Sequence, residues 1–257
     1  LLGGVLATQT SLAFTVQVSM VGPALAAVAA LLMVEPAMVK TGRSYISELV
    51  RGVRFTWGTP QIRYTVLLGS LLMIAGFLPI FLTQPFLIEH DVATGLFGVY
   101  QAPVRLLAVV AAAVAFRAAA IRGPGGLFGA AIVSVVAAYM GLALFDVTWA
   151  FVFFAVPSVF QGLVRPTVDA YVNHRTPSDM RATVLSAGSL VLSVQMAFVE
   201  PVVGFLMDDV SFIAAALFLA AFFAVTAPPL LVLWRRADRD PVGRQEIAAE
   251  PLPAGGG

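Results

Sequence analysis

The segment YTVLLGSLLMIAGFLPIFLTQPFLI, at residues 64–88, contains no charged residue and carries the strongest structural signal in the chain. A helix needs about 20 mainly apolar residues to cross a bilayer, so this segment is long enough to span one. Six further segments meet the same criterion, at residues 12–34, 94–116, 123–145, 148–172, 182–207 and 211–234. The sequence therefore predicts an all-α bundle of about seven transmembrane helices.

The composition also favours a lipid environment. Hydrophobic residues make up 60% of the 257 residues and charged residues only 11%, and the mean hydropathy is +0.93. A soluble domain usually carries about 25% charged residues, which it needs to cover its surface. The net charge of +1 provides no basic field for binding nucleic acid. We therefore expect an integral membrane protein whose main partner is the lipid bilayer.

The basic residues predict the orientation of the helices. Thirteen of the fifteen lysines and arginines lie in the loop 35–63, in the connections after residues 116 and 172, or in the tail. The intervening connections, near Glu89, Asp146 and Asp208, contain none. Because cytoplasmic loops are enriched in basic residues, the loop 35–63 and the C-terminus are predicted to be cytoplasmic, in a plasma (inner) membrane.

The chain divides into four predicted regions. Residues 1–34 are expected to hold the end of one apolar helix, at residues 1–7, and one complete span. Residues 35–63 form a cytoplasmic loop, residues 64–234 a six-helix transmembrane domain, and residues 235–257 a tail predicted to be disordered from its Pro, Gly, Ala and Glu content. Breaks between spans are predicted at turn and charge clusters, including Arg122-Gly123-Pro124-Gly125.

Within the loop 35–63, apolar residues recur at helical spacing while charged residues fall on other faces. This pattern predicts a short amphipathic helix, either on the inner membrane surface or against the cytoplasmic face of the protein itself. The apolar positions are Ile46, Leu49, Val50, Val53 and Trp57, and the charged positions are Glu48, Arg51 and Arg54.

Several short motifs resemble the major facilitator superfamily, in which two six-helix halves are joined by a cytoplasmic loop. The pair Gly3-Gly4 resembles the end of helix five, and Glu35-Pro36 closes the hydrophobic block before the loop. Pro201, Gly204 and Asp208 resemble the Pro-x-x-Gly-x-x-x-Asp close of helix eleven. The residues that resemble the connection between helices ten and eleven, with the start of helix eleven, are Asn173, Pro177, Arg181, Ser186 and Ser189.

This resemblance implies that residues 12–34 are helix six and residues 64–234 helices seven to twelve, so that the N-terminal half of the transporter is missing from the chain. It implies alternating access around a site near the midplane, driven by an ion gradient. A small-molecule substrate, a coupling proton and efflux by antiport are typical of such proteins. One departure is the stretch Ala113 to Arg122, which lacks the aspartate of the Gly-x-x-x-Asp-Arg-x-Gly-Arg pattern. We therefore expect either that the inner gate of this half uses other charges, or that this charged pattern belongs mainly to the missing half.

Ionisable residues inside spans are candidates for function because burying a charge in a membrane is costly. Arg105, with Gln101 one turn earlier, is predicted near the bilayer centre, where it binds an anionic substrate group or steers a coupling carboxylate. The alternative is a structural ion pair. Glu200, next to Pro201 in the outer half of its span, is a candidate proton carrier. The alternative for Glu200 is a solvated carboxylate at the outer mouth.

Arg165 and Asp169 share one helix face because they are four residues apart. Together with Arg181 across a short loop, they are predicted to form an inner-gate charge cluster near the cytoplasmic end, or a static pair. Uncharged polar residues of the spans either line a cavity or join helices by hydrogen bonds. These candidates are Gln84, Gln101, Gln161 and Gln195.

The sequence disfavours an enzyme and indicates no cofactor or metal. His90 and His174 are the only histidines, cysteine is absent, and no His-Glu-x-x-His motif occurs. Lys40 is the only lysine and lies in a loop, which disfavours a retinal protein. The function expected from the resemblance is secondary active transport of a small solute by alternating access. Another polytopic permease or a channel remains the alternative.

Overall fold

The computed structural model describes residues 9–33 and 45–239, and these residues contain helices and no strand. The predicted all-α class is therefore confirmed for the described part of the chain. The predictions for residues 1–7, for the loop up to residue 44 and for most of the tail lie outside the described residues. The helices are α1 Leu12–Ser19, α2 Val21–Leu32, α3 Tyr45–Gly58, α4 Pro60–Phe77, α5 Pro79–Glu89, α6 Phe97–Leu144, α7 Ala155–Arg175, α8 Arg181–Asp209 and α9 Phe212–Arg239.

Five helical segments of the described residues are long and apolar enough to cross a membrane, which indicates an integral membrane protein. Two of them include a 3₁₀ turn before the α-helix, Thr94–Leu96 before α6 and Thr148–Phe154 before α7. The segments are Pro60–Glu89, Thr94–Leu144, Thr148–Arg175, Arg181–Asp209 and Phe212–Arg239.

The predicted count of seven spans is not confirmed, for two reasons. The first predicted span, residues 12–34, consists of the two short helices α1 and α2, which meet at Met20. The predicted spans 94–116 and 123–145 both lie within α6.

Helix α6 is interrupted at the predicted break. Gly123 has φ +66° and ψ 161°, a combination that is open almost only to glycine. Pro124 follows and has no N–H to continue the helical hydrogen bonds. Residues 97–122 and residues 124–144 are therefore two separate helical segments, and each approaches or exceeds the roughly 20 residues that a span needs.

The core lies between α4, the second segment of α6, and α9. The ring of Tyr139 in α6 stacks on Phe223 of α9 at 5.8 Å between ring centroids. Near the other end of α9, Trp234 packs edge-on against Phe128 at 5.2 Å. Its indole Nε1 donates a 2.8 Å hydrogen bond to the hydroxyl of Thr65 in α4. The buried aromatic rings provide apolar contact in this core, and the hydrogen bond of Trp234 fixes the orientation of its ring.

Helix α7 approaches its neighbours at glycines, as is common where helices pack in a membrane. A Cβ atom added at Gly162 would overlap the backbone carbonyl of Ala108 in α6, so the two backbones are in direct contact. A Cβ atom added at Gly69 in α4 would lie 2.7 Å from Val168 Cγ2. These contacts fix α7 against both α4 and the first segment of α6.

Helix α8 lies at the edge of the bundle, because Val184, Val199 and Val203 are its only fully buried residues. Helix α3 packs on the first turns of α8, where Gly52 contacts the side chain of Thr183. The apolar face predicted for α3 remains exposed, at Ile46, Leu49, Val50, Val53 and Trp57. Helix α3 thus contacts the protein through Gly52, Thr56 and the partly buried Phe55, and the five predicted apolar positions lie on its exposed side.

Candidate functional site

A cavity of about 160 Å³ lies between α4, α7 and α8, and we refer to it as the α4–α7–α8 cavity. Most of its wall is aliphatic. Four side chains of the wall are polar or charged, and they come from all three helices. The lining residues are Val66, Gly69, Ser70, Met73, Arg165, Val168, Asp169, Val172, Val184, Leu185, Gly188, Ser189 and Leu192.

The packing of the three helices explains why the cavity exists. Helices α4 and α7 are in close contact at Gly69 and Val168. Helix α8 is held less closely, since a Cβ atom added at Gly188 would lie 4.0 Å from Val66, an ordinary van der Waals distance. The space that remains between α7 and α8 is the cavity.

The charged pair of the cavity is separated by more than a hydrogen bond. Arg165 Nε lies 3.8 Å from Asp169 Oδ2, whereas a charge-assisted hydrogen bond is about 2.7–2.9 Å long. The two side chains are 62% and 44% exposed. Neither makes a hydrogen bond to any residue in the described ranges. Both members therefore keep hydrogen-bonding capacity on the cavity side, the guanidinium as a donor and the carboxylate as an acceptor.

The pair lies well inside the helical segment Thr148–Arg175. At a rise of about 1.5 Å per residue, Arg165 is about 15 Å from Arg175 along the helix axis. The sequence placed the pair near the cytoplasmic end of its span. The helix ends at Arg175, three residues beyond the predicted end of the span at residue 172, and the depth of the pair in the membrane stays a prediction.

Arg181 has a different partner from the one expected for a three-residue cluster. Its Nε donates a 3.1 Å hydrogen bond to the carbonyl of Thr176, just past the end of α7. It does not line the α4–α7–α8 cavity. The structure thus brings Arg165 and Asp169 together in one cavity and leaves Arg181 at the connection between α7 and α8.

Glu200 is half-buried on the same side of α8, further along the helix. It lines a second cavity with Phe77, Ser193, Met196 and Ala197. Leu192 lines both cavities. The two polar sites therefore follow each other along α8, with the side chain of Leu192 between them.

The side chains of Arg105 and Gln101 do not line a common site in the structure. Arg105 is exposed and makes no hydrogen bond or ion pair with any residue in the described ranges. Gln101 turns toward α5, where its Nε2 lies 3.4 Å from the hydroxyl of Thr83, a weak hydrogen bond. Arg105 thus presents an unpaired charge on the outer surface of α6.

The remaining candidate glutamines have three different surroundings. Gln84 in α5 is exposed. Gln161 packs on Gly76 at the crossing of α7 and α4, which is a structural contact. The side-chain oxygen of Gln195 is buried and has no hydrogen-bond partner among the residues that the structure describes.

Sequence reasoning missed the side chains that hold the helix ends together on the predicted cytoplasmic side. Asp238 at the end of α9 accepts a 2.6 Å hydrogen bond from Tyr171 and a 3.2 Å bond from Arg175. The guanidinium of Arg175 also lies 3.7 Å from the centre of the Tyr171 ring. Arg51 of α3 forms an ion pair with Asp179 in the connection before α8. These partners lie far apart in the sequence, so no local spacing reveals them.

Among residues 9–33 and 45–239, no group of three or more metal-binding side chains is close enough to hold a metal ion. In comparisons with known proteins, no family model, no curated protein and no solved structure matches the chain. The functional interpretation therefore depends on the residues and geometry described above.

Proposed function

We propose that this chain forms one of the two transmembrane halves of a secondary transporter, which moves a small solute by alternating access. The observation that carries this proposal is the Arg165–Asp169 pair in the α4–α7–α8 cavity. A charged pair within a spanning helix is costly unless it contacts water, a substrate or another protein segment. Its 3.8 Å separation and partial exposure favour a binding role over a closed, static ion pair.

The arrangement of helices supports the same proposal. With the interruption at Gly123, residues 60–239 contain six helical segments of spanning length. Six is the number expected for one half of a major facilitator transporter. Arg175 and Arg235 lie near helix ends that the alternation of basic loops assigns to the cytoplasm, and Arg51 lies in α3, within the loop assigned to the same side.

The surface charges support a second helical bundle as partner. Arg105 is exposed, and Arg165, Asp169 and Glu200 are exposed or half-buried on the described surface. Lipid tails solvate such groups poorly, so these residues need water or protein beside them. We therefore propose that the other half of the transporter covers this surface and encloses a watery path. In this arrangement Glu200 is the candidate carrier of a coupling proton.

The proposal is tested with the complete gene product in proteoliposomes that contain a pH-sensitive dye. A proton gradient is imposed and small solutes are screened for solute-dependent proton movement. Glu200→Gln should abolish coupling, and Arg165→Gln should abolish solute dependence. Asp209→Asn and Arg236→Gln, which change exposed charges at helix ends, should transport normally.

Two results would contradict a coupled transporter. Solute flux that does not saturate and is not linked to an ion gradient would indicate a channel. Unchanged transport in Glu200→Gln and Arg165→Gln, with folding intact, would remove both residues from the path.

A further inference from the structure

We infer, on the basis of the transport function proposed above, that the α4–α7–α8 cavity binds a small aliphatic zwitterion of the amino-acid type. The anionic group of the ligand binds Arg165 and its cationic group binds Asp169. The cavity presents a donor and an acceptor of opposite charge as a loose ion pair 3.8 Å apart, and neither makes a hydrogen bond to a described residue.

The pairing of charges selects against ligands with a single charge. A simple anion would pair with Arg165 and compete with Asp169 for it, which leaves the carboxylate of Asp169 without its partner. A zwitterion satisfies both groups and leaves the net charge of the cavity unchanged. Guanidinium binds a carboxylate with two parallel hydrogen bonds, which fixes the orientation of the ligand.

The volume of the cavity limits the size of the ligand. About 160 Å³ is close to the volume of an apolar cavity that holds one benzene molecule. A ligand held within this space has on the order of six to eight non-hydrogen atoms, and a longer one would extend through the open side, where Arg165 is 62% exposed. Val66, Met73 and Leu185 line the cavity and offer an apolar contact for a short aliphatic chain.

Two serine hydroxyls complete the site. Ser70 Oγ donates to the carbonyl of Leu67 at 3.1 Å, and Ser189 Oγ donates to the carbonyl of Leu185 at 3.3 Å. These are bonds within each helix, so the lone pairs of both oxygens remain available to an N–H donor. A protonated amine near Asp169 can use them, whereas a carboxylate cannot without rotation of the hydroxyls.

The test measures binding separately from transport. The complete gene product in detergent is titrated with L-alanine, L-valine and L-proline, and the thermal unfolding midpoint is followed. Isobutylamine and isobutyrate serve as controls, because each matches L-valine but lacks one of its charged groups. We expect the midpoint to rise with the zwitterions at concentrations at which neither control has an effect.

Variants assign the effect to the pair. Arg165→Gln and Asp169→Asn should each lower the apparent affinity for the zwitterion by about 10- to 100-fold, because each removes a charged hydrogen-bond partner. The matched controls Arg236→Gln and Asp209→Asn should bind normally. If a neutral variant does not fold, the double variant Arg165→Asp with Asp169→Arg keeps both charges and should retain preference for the zwitterions over both controls.

The inference is overturned if none of the three zwitterions raises the midpoint, if isobutylamine or isobutyrate does so equally, or if both neutral variants bind normally. Zwitterion binding without any solute flux in proteoliposomes would support this inference and contradict the transport function. Coupled flux of another solute, without zwitterion binding, would support transport and overturn the inference.

Discussion

The hydroxyl of Tyr139 donates a 2.8 Å hydrogen bond to the backbone carbonyl of Ala75, a group that has lost its usual helical partner. In a continuous helix that carbonyl accepts from the N–H of residue 79, but residue 79 is proline. An unsatisfied carbonyl inside a membrane protein is costly. Tyr139 therefore stabilises the junction of α4 and α5 from a different helix.

Tyr139→Phe should destabilise the protein by about 1–3 kcal/mol, since it leaves the carbonyl of Ala75 buried without a donor. The measurement is thermal or denaturant unfolding in detergent. Tyr100→Phe is the matched control, because the hydroxyl of Tyr100 makes no hydrogen bond to a residue that the structure describes. Equal stability of the two variants would show that the bond does not contribute.

Gly162→Ala should destabilise the contact of α7 with α6. Alanine is favoured over glycine by about 1 kcal/mol within a helix, but its Cβ would overlap the carbonyl of Ala108, which belongs to the backbone and has little room to move. We expect a net loss of about 1–3 kcal/mol. Gly204→Ala has no atom within 4 Å of its added Cβ and should be neutral or stabilising. The prediction is wrong if both changes shift the unfolding midpoint in the same direction.

Gly123→Ala should cost about 1–3 kcal/mol through backbone strain alone. An added Cβ at Gly123 meets no atom within 4 Å, as at Gly204, so the two positions differ in φ and not in crowding. Unfolding of both variants under one condition separates strain from packing. A Gly123→Ala variant as stable as Gly204→Ala would indicate that the backbone at residue 123 relaxes freely.

The ion pair between Arg51 and Asp179 should contribute little to stability. The two side chains are 37% and 50% exposed, so water and salt screen their attraction. A double-mutant cycle with Arg51→Gln and Asp179→Asn should give a coupling free energy of at most about 1 kcal/mol, and less at high salt. A coupling above about 2 kcal/mol that salt does not change would show that the pair is buried in the membrane-bound protein.

Much of the fold could be predicted from the sequence because long apolar segments permit few structures other than helices. The break at Gly123 was predicted from the Gly-Pro-Gly cluster, and its positive φ explains why glycine is needed there. The first predicted span was not recovered as one long helix, because the regular hydrogen bonding is interrupted at Met20, whose N–H donates to the carbonyl of Gln17 three residues earlier. Hydropathy measures the apolar content of a segment and does not report such a break.

The candidate site was only partly predictable. The spacing of Arg165 and Asp169 places them on one helix face, and the structure places them in one cavity. Ser70 comes from another helix, so only tertiary packing brings it to that cavity. Arg181 is close in sequence but its side chain donates to the carbonyl of Thr176 at the end of α7. The packing between helices determines each of these contacts, and residue spacing in a single sequence does not reveal that packing.

The backbone contact of Gly162 with Ala108 has a consequence for motion. No side chain separates α7 from the first segment of α6 at this point, so a shift of one helix against the other would have to break this close contact. Helix α8 buries only three of its residues completely, fewer than α4 or α7, and therefore loses less apolar contact than either of them when it shifts. The α4–α7–α8 cavity thus has two closely packed walls, α4 and α7, and one loosely packed wall, α8, so a shift of α8 would change the space beside Arg165.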